Sequence, residues 1–247
     1  MPAAKTSFSV IIPAHNEEKY IGECLKSIKK AAENVSYCDV QIIVAANRCT
    51  DNTAAIAEQF GADVCINEDK CISSVRNAGA KLATGEILIT IDADSCMTSG
   101  SLSEIKEMLE SGKYIGGGTR SMFTRMSLGI LVSSIYIATK LIPIMKKHKA
   151  ALTGGMFWCY RKDFEQIGGF DESLLSLEDM DFAIRLKKLG DSRGMKYGTL
   201  KKSVIITSSR KFDEFGDWYL VRNKQLTNAI FTGKDREAAD KFYYDVR

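Results

Sequence analysis

The sequence predicts an α/β fold, a mostly parallel twisted sheet flanked by helices. Three observations carry that expectation. Apolar, β-branched runs alternate with segments of helical periodicity through residues 1–97, the pattern of parallel strands joined by crossover helices. The runs end in polar clusters at Pro13 to Glu17, Ala46 to Asp51 and Asp92 to Asp94, and open α/β sheets bind ligands beyond the carboxyl ends of their strands. The composition, 45% hydrophobic and 26% charged in 247 residues, supplies ample apolar material for a core. With only 3 prolines and no Pro/Ser/Gly-rich linker, residues 1–247 are expected to form a single domain.

Phe8-Ser-Val-Ile-Ile-Pro13 is a β-branched run ending in proline, hence a buried strand. Asn16 offers a side-chain cap and Glu17 and Glu18 fall in a first turn, where the helix dipole favours acids. With Ile21, Cys24, Leu25 and Ile28 at helical spacing, a helix over about residues 17–31 follows. Val40 to Ala45 is the second strand and Asn47 to Asn52 a polar turn. Ala54, Ile56, Ala57 and Phe60 make a helix stopped by Gly61. A short strand over Asp63 to Ile66 and a helix over residues 71–83 come next. Glu86 to Ile91 is a strand running directly into Asp92-Ala93-Asp94.

The second half is less regular. Ser101 to Leu109 reads as a helix, and Tyr114 to Thr119, containing Gly116-Gly-Gly118, as an irregular edge strand. Gly154-Gly155 opens a strand reaching Tyr160. Phe164 to Ile167 is a short helix ended by Gly168-Gly169, and Glu178 to Leu189 a longer one. Met195 to Gly198 and Ser203 to Thr207 are expected as two further strands.

Charge excludes one partner class. A net +3 from 34 basic and 31 acidic residues is too balanced for a nucleic-acid-binding protein. The 7 cysteines form no CxxC pair and no zinc spacing, which argues for reduced thiols in a cytoplasmic protein. Met1 to Ser7 is short and polar, unlike a signal peptide. One segment resists the soluble reading: Met126 to Met145 is strongly apolar over nearly a membrane-spanning length. Lys140 and Pro143 interrupt it, so a buried or interfacial helix is expected. Followed by Lys146-Lys147-His148-Lys149, residues 126–149 also suit the inner face of an anionic membrane.

The chemistry-bearing residues lie at the strand ends. Asp92 and Asp94 follow an apolar strand, where the turning chain lets both carboxylates approach one hard cation, Mn²⁺ or Mg²⁺, shared with substrate phosphates. Arg76, on the preceding helix, can clamp a diphosphate or hold an aspartate. Glu178 and Asp179 open a helix; carboxylates there are either caps or, aimed at a substrate, a general base. Arg210 and Trp218 are candidates for a late loop closing over the site, and His15 suits local hydrogen bonding.

In order, Phe8-Ser-Val-Ile-Ile-Pro-Ala-His-Asn-Glu-Glu18, Asn47-Arg-Cys-Thr-Asp-Asn-Thr53, Val75-Arg-Asn-Ala-Gly79 and Asp92-Ala-Asp94 resemble the motifs of family 2 glycosyltransferases of GT-A fold. Gly154-Gly-Met-Phe, Phe164-Glu-Gln-Ile-Gly-Gly-Phe-Asp171 and Glu178-Asp-Met-Asp-Phe-Ala-Ile-Arg-Leu186 continue the resemblance, which covers about residues 7–190. It implies an inverting, metal-dependent hexosyltransferase using a UDP- or GDP-sugar, with residues 1–97 as the nucleotide-binding half and 98–247 as the acceptor-binding half. Pro13, Ala14 and Glu17 would border the nucleotide, and Asn47 its base. Arg76 would meet the nucleotide, Asp92 the ribose, and Asp94 the metal, with Ala93 between them in the donor site. Asp179, beside Glu178, would be the catalytic base, while Gly154, Gly155, Arg210 and Trp218 would lie on the acceptor side or in a lid.

Two departures matter. Where the family usually carries an acidic pair followed by Gly-Ser, this chain has Ala46-Asn47-Arg48-Cys49, which leaves uracil and guanine both open. No Gln-x-x-Arg-Trp occurs, so one transfer is expected rather than chain synthesis. Two other readings are a catalytically silent scaffold docking through residues 126–149 and a sugar nucleotidyltransferase. Retention of Asp92, Asp94, Arg76 and Asp179 argues against the first, and the glycine-free Pro13-Ala-His-Asn16 against the second.

Overall fold

A computed structural model describes residues 6–148, 155–230 and 235. Gly154 and Lys149, both singled out from the sequence, lie outside the described residues. The first half is parallel, as its alternation predicts. β1 (Ser7–Ala14), β2 (Asp39–Asn47), β3 (Asp63–Asn67) and β4 (Ile87–Ile91) alternate with α1 (Ile21–Glu33), α2 (Thr53–Gln59) and α3 (Ile72–Lys81). β1 pairs in parallel with β2 and β4, and β2 with β3. Every residue of β4 is buried, as befits a strand covered on both faces.

Beyond β4 come β5 (Ser95–Met97), α4 (Ser101–Glu110), β6 (Tyr114–Phe123), α5 (Leu128–His148), β7 (Met156–Tyr160), α6 (Arg161–Gln166), α7 (Glu178–Ser192) and β8 (Lys196–Thr207). Three short helices follow, α8 (Arg210–Phe215), α9 (Tyr219–Arg222) and α10 (Lys224–Ile230). The described strands form one sheet in the order β3-β2-β1-β4-β7-β6-β8-β5. β7 is antiparallel to β4 and β6, while β6 and β8 are parallel. Ile21, Leu25 and Ile28 of α1, with Leu102 and Ile105 of α4, pack on one face against Val10, Ile12, Ile89 and Trp158. On the other face Phe164, Phe182 and Leu186 meet Ile11, Leu88 and Phe157. Gly79 of α3 comes so close to β1 that a Cβ there would stand 2.6 Å from Ile11 Cγ2.

Three expectations need correction, and one strand was not foreseen. The helix expected from residue 17 begins at Ile21, and Asn16 does not cap it. Asn16 instead takes a left-handed φ of 50°, and its Oδ1 accepts from Thr50 N at 2.8 Å. Glu17 is therefore a buried loop residue rather than part of a first turn. The Gly116-Gly-Gly118 strand is interior, between β7 and β8, because a Cβ on Gly117 would lie 2.2 Å from Gly198 O and 2.5 Å from Trp158 Cζ2. Its glycines admit a close neighbour instead of marking an edge. The two strands expected near the end are one, β8. Its middle is held by Glu104, which accepts from the backbone N–H groups of Lys201 at 2.6 Å and Ser203 at 2.8 Å. Finally, three-residue β5, too short for a periodic signal, pairs antiparallel with the end of β8.

Candidate active site

The turn after β4 is fixed by backbone bonds on three sides. Ser95 N donates to Asp92 O at 3.0 Å, Asp92 N to Gly155 O at 3.3 Å, and Ser208 N to Asp94 O at 3.0 Å. Gly155, at a φ of 67°, lets the turn press down: a Cβ there would come within 2.8 Å of Asp92 Oδ2. Asp92, Ala93 and Asp94 so presented line a cavity of about 440 Å³ together with Ala14, His15, Glu17, Asn47, Arg76, Gly155, Glu178 and Asp179. Most of the site residues picked from separate motifs thus meet in one crevice.

Two buried arginines tie its carboxylates together. Arg76 donates through Nη1 to Glu178 Oε1 at 2.6 Å and through Nη2 to Asp92 Oδ1 at 2.9 Å. Its guanidinium lies over the Phe170 ring, 5.2 Å from the centroid. Burial opposes charge on Arg76, but Asp92 and Glu178 outweigh it and push the pKa up. Arg210 clamps Glu17 with two hydrogen bonds, Nη1 to Oε2 at 2.5 Å and Nη2 to Oε1 at 2.6 Å. Its Nη2 also stands 3.0 Å from Asp94 Oδ2. Burial again opposes the charge, and the bonds to Glu17 with the field of Asp94 hold the proton on Arg210.

Asp179 sits at the start of α7. Leu177 just before it is left-handed, at a φ of 62°, a conformation costing a residue with a Cβ about 1–2 kcal/mol. No side chain caps the helix at that position. Burial, then the neighbouring Glu178 carboxylate, raise the Asp179 pKa to about 7, against the opposing pull of Arg76. That places its proton exchange near neutrality.

Asn47 is buried, and its amide nitrogen donates to Asn67 O at 2.9 Å and Asp69 O at 2.8 Å. Oδ1 is the group of the amide left to face a ligand, an orientation assigned from those two carbonyl acceptors. His15 Nδ1 bonds Asn47 O at 2.6 Å, a bond to the neighbouring strand β2 rather than the local one expected of it. Pro13 is buried in β1 and does not line the cavity. Trp218 does not line it either. Its indole lies against α5, where a Cβ on Gly129 would meet Trp218 Nε1 at 3.0 Å.

The crevice offers one carboxylate, Asp94, of the kind that shares a divalent cation with phosphate oxygens. Among the described residues no cluster of three or more His, Cys, Asp or Glu side chains surrounds a common point. Mg²⁺ and Mn²⁺ need only one or two protein carboxylates when phosphate oxygens and water complete the shell. Asp94 supplies a carboxylate lining the cavity, with Arg210 now on one of its oxygens. Phe215 and Tyr219, not singled out from the sequence, line the same cavity, as does Phe212 beside Arg210. Phe212 and Phe215 share α8 at i, i+3 spacing, a signal the sequence carried, while Tyr219 stands on α9 beyond Gly216.

Comparison with known proteins places the chain. The sequence model of glycosyl transferase family 2 matches residues 9–168. An uncharacterized glycosyltransferase of Mycobacterium tuberculosis is 30% identical over 117 residues, 47% of this chain and 50% of the relative. The chain thus aligns with about half the length of that relative. The amylovoran biosynthesis glycosyltransferase AmsB of Erwinia amylovora is 25% identical over 204 residues, 74% of this chain and 65% of AmsB. Among solved structures, Staphylococcus aureus TarS 1-349 superposes with a TM-score of 0.62 at 18% identity, covering 96% of this chain and 69% of that one. The mannosyltransferase PcManGT of Pyrobaculum calidifontis, in complex with GDP-Man and Mn²⁺, gives 0.64 at 17% identity, covering 98% of this chain and 69% of that one. At such identities the superpositions establish the fold, that of the GT-A glycosyltransferases.

Proposed function

Because the chain belongs to glycosyl transferase family 2, we propose that it moves one hexose, with inversion, from a nucleotide-diphosphate sugar to a hydroxyl-bearing acceptor. The observation that carries this reading is the meeting of Asp92 and Asp94, at a strand tip, with Asp179 in one cavity. The acceptor oxygen attacks the anomeric carbon from the side opposite the diphosphate. As the new C–O bond forms, Asp179 takes the hydroxyl proton, and the bond from the anomeric carbon to the diphosphate oxygen breaks. The nucleoside diphosphate leaves with that electron pair. A base titrating near 7 suits this task at neutral pH.

Arg76 and Arg210 bring fixed positive charge to the crevice where the diphosphate gains negative charge. Asp94, with the diphosphate oxygens, is the residue to hold a divalent cation. Manganese or magnesium bound there would neutralise charge on the leaving group. Asn47 is the residue to meet the base. With its N–H groups held by Asn67 and Asp69, it offers Oδ1 as an acceptor. Uracil N3–H and guanine N1–H both satisfy an acceptor, whereas the matching edge of adenine presents a lone pair. PcManGT was solved with GDP-Man and TarS with UDP-GlcNAc, in keeping with either donor.

The test is donor hydrolysis. Purified protein with manganese and a panel of UDP- and GDP-sugars should slowly release nucleoside diphosphate, and Asp94→Ala should abolish the release. A panel without turnover, or Asp94→Ala retaining full turnover, would sink the reading.

A further inference from the structure

The acidic residues occupy only part of the crevice wall, and Lys211 and Thr227 also line it. Its other walls are Ile137 and Leu141 from α5, Phe212 and Phe215 from α8, and Tyr219 and Leu220 from α9. A nucleotide sugar has no apolar tail to cover such a wall, so the wall fits a part of the reaction that the donor lacks. On a different face of the same helix Leu128, Leu131, Ile135 and Ile142 form a stripe, exposed by 71%, 46%, 56% and 41%. Only 18% of the apolar window Leu128–Lys147 is buried, which is not the state of a core helix. The stripe runs into exposed Lys146 and Lys147, and no Asp or Glu occurs from Met126 to His148. An exposed apolar surface ending in lysines complements an anionic bilayer.

We propose that α5 lies in the surface of an anionic phospholipid bilayer and that the acceptor is an amphiphilic lipid drawn from it. The hydroxyl-bearing head reaches Asp179, and the hydrocarbon chain runs along Ile137, Leu141 and Phe212. This rests on the transferase reading, whose chemistry it leaves unchanged, and it names the acceptor class. The helix lies along the surface instead of crossing it, because Ile137 and Leu141 face the cavity rather than lipid.

Flotation of the full chain with vesicles tests the surface, and short amphiphiles test the cavity. Wild type should float with phosphatidylglycerol vesicles and remain behind with phosphatidylcholine. Lys146→Gln/Lys147→Gln should weaken binding roughly twenty-five-fold, at roughly fivefold per lysine. Leu131→Gln/Ile135→Gln/Ile142→Gln should abolish flotation, and both variants should keep manganese-dependent release of nucleoside diphosphate. Below micelle formation, n-alkyl glucosides from methyl to octyl should bind roughly fourfold tighter per methylene, and Leu141→Asn should flatten that trend. Wild type left behind by phosphatidylglycerol, or octyl glucoside binding no better than methyl glucoside, overturns the proposal. So does a dimer that the triple glutamine variant turns into monomer while neither form floats, since a second copy then covers the stripe. Absent nucleoside diphosphate release from every form would strike the transferase reading instead, whatever the vesicles show.

Discussion

Asp179 is pulled in two directions by pH. Its raised pKa means that the folded protein favours the protonated carboxyl, so the stability this group contributes is present at low pH and lost as pH rises through about 7. A base must be ionised, so transfer should rise over the same interval. Asp179→Asn should lower transfer roughly 10²- to 10⁴-fold with donor binding near normal. The variant should also gain melting temperature over wild type at pH 8 and lose that advantage at pH 5. An equal difference at both pH values, or weaker donor binding with unchanged turnover, would remove Asp179 from the role. At this scale the sequence was informative because short motifs mark strand tips and helix starts. Arg76, Asp92, Asp94, Glu178 and Asp179 were all named from such motifs, and all line one cavity. The clamp of Arg210 on Glu17 was not legible, since its partners stand 193 positions apart and only the closed topology brings them together. With the Glu17 and Arg210 side chains 2% and 10% exposed, Arg210→Met should cost about 3–5 kcal/mol by taking the doubly bonded cation away from a buried carboxylate. Adding Glu17→Gln should recover part of that loss, and simple additivity in urea unfolding would contradict the account.

Among the elements, the parallel half followed the sequence closely because each strand and helix carries its own period and its own stop. β6 and β8 were misread for a common reason: their neighbours, not their residues, decide their place. Three glycines look like an edge until Trp158 is packed on them. The Trp158 indole fills the space above Gly117 and donates through Nε1 to Gly118 O at 3.0 Å. Lys201 to Ser203 look like a break in a strand until Glu104 gathers their N–H groups. Gly117→Ala should therefore destabilise by about 3 kcal/mol, the upper part of the range for overfilling a packed core. The urea midpoint should fall at an unchanged slope. An unaltered midpoint would mean that β6 and β8 part easily enough to admit a Cβ that would otherwise press on Gly198 O.

The molecule as a whole is expected to unfold as one unit, because its halves are sewn together at the site. β4, from the first half, pairs with β7 from the second, and β5 crosses to the far edge to pair with β8. Arg76 reaches Glu178, and Arg210 reaches Glu17 and Asp94, so buried ion pairs cross the same boundary. A fragment of residues 1–97 would expose the fully buried Ile87–Ile91 strand as a bare edge and leave Arg76 without Glu178. That fragment should therefore show no cooperative melt, while the full chain should give coincident transitions by near- and far-ultraviolet dichroism. A nucleotide sugar with manganese at 100 times its Kd should stabilise the native state by about 2.7 kcal/mol. The proposed donor site lies where the halves meet, so both probes should move by the same amount. Two separate transitions, or a ligand shift seen by one probe alone, would show that the halves fold independently and that the crossing arginines do not couple them.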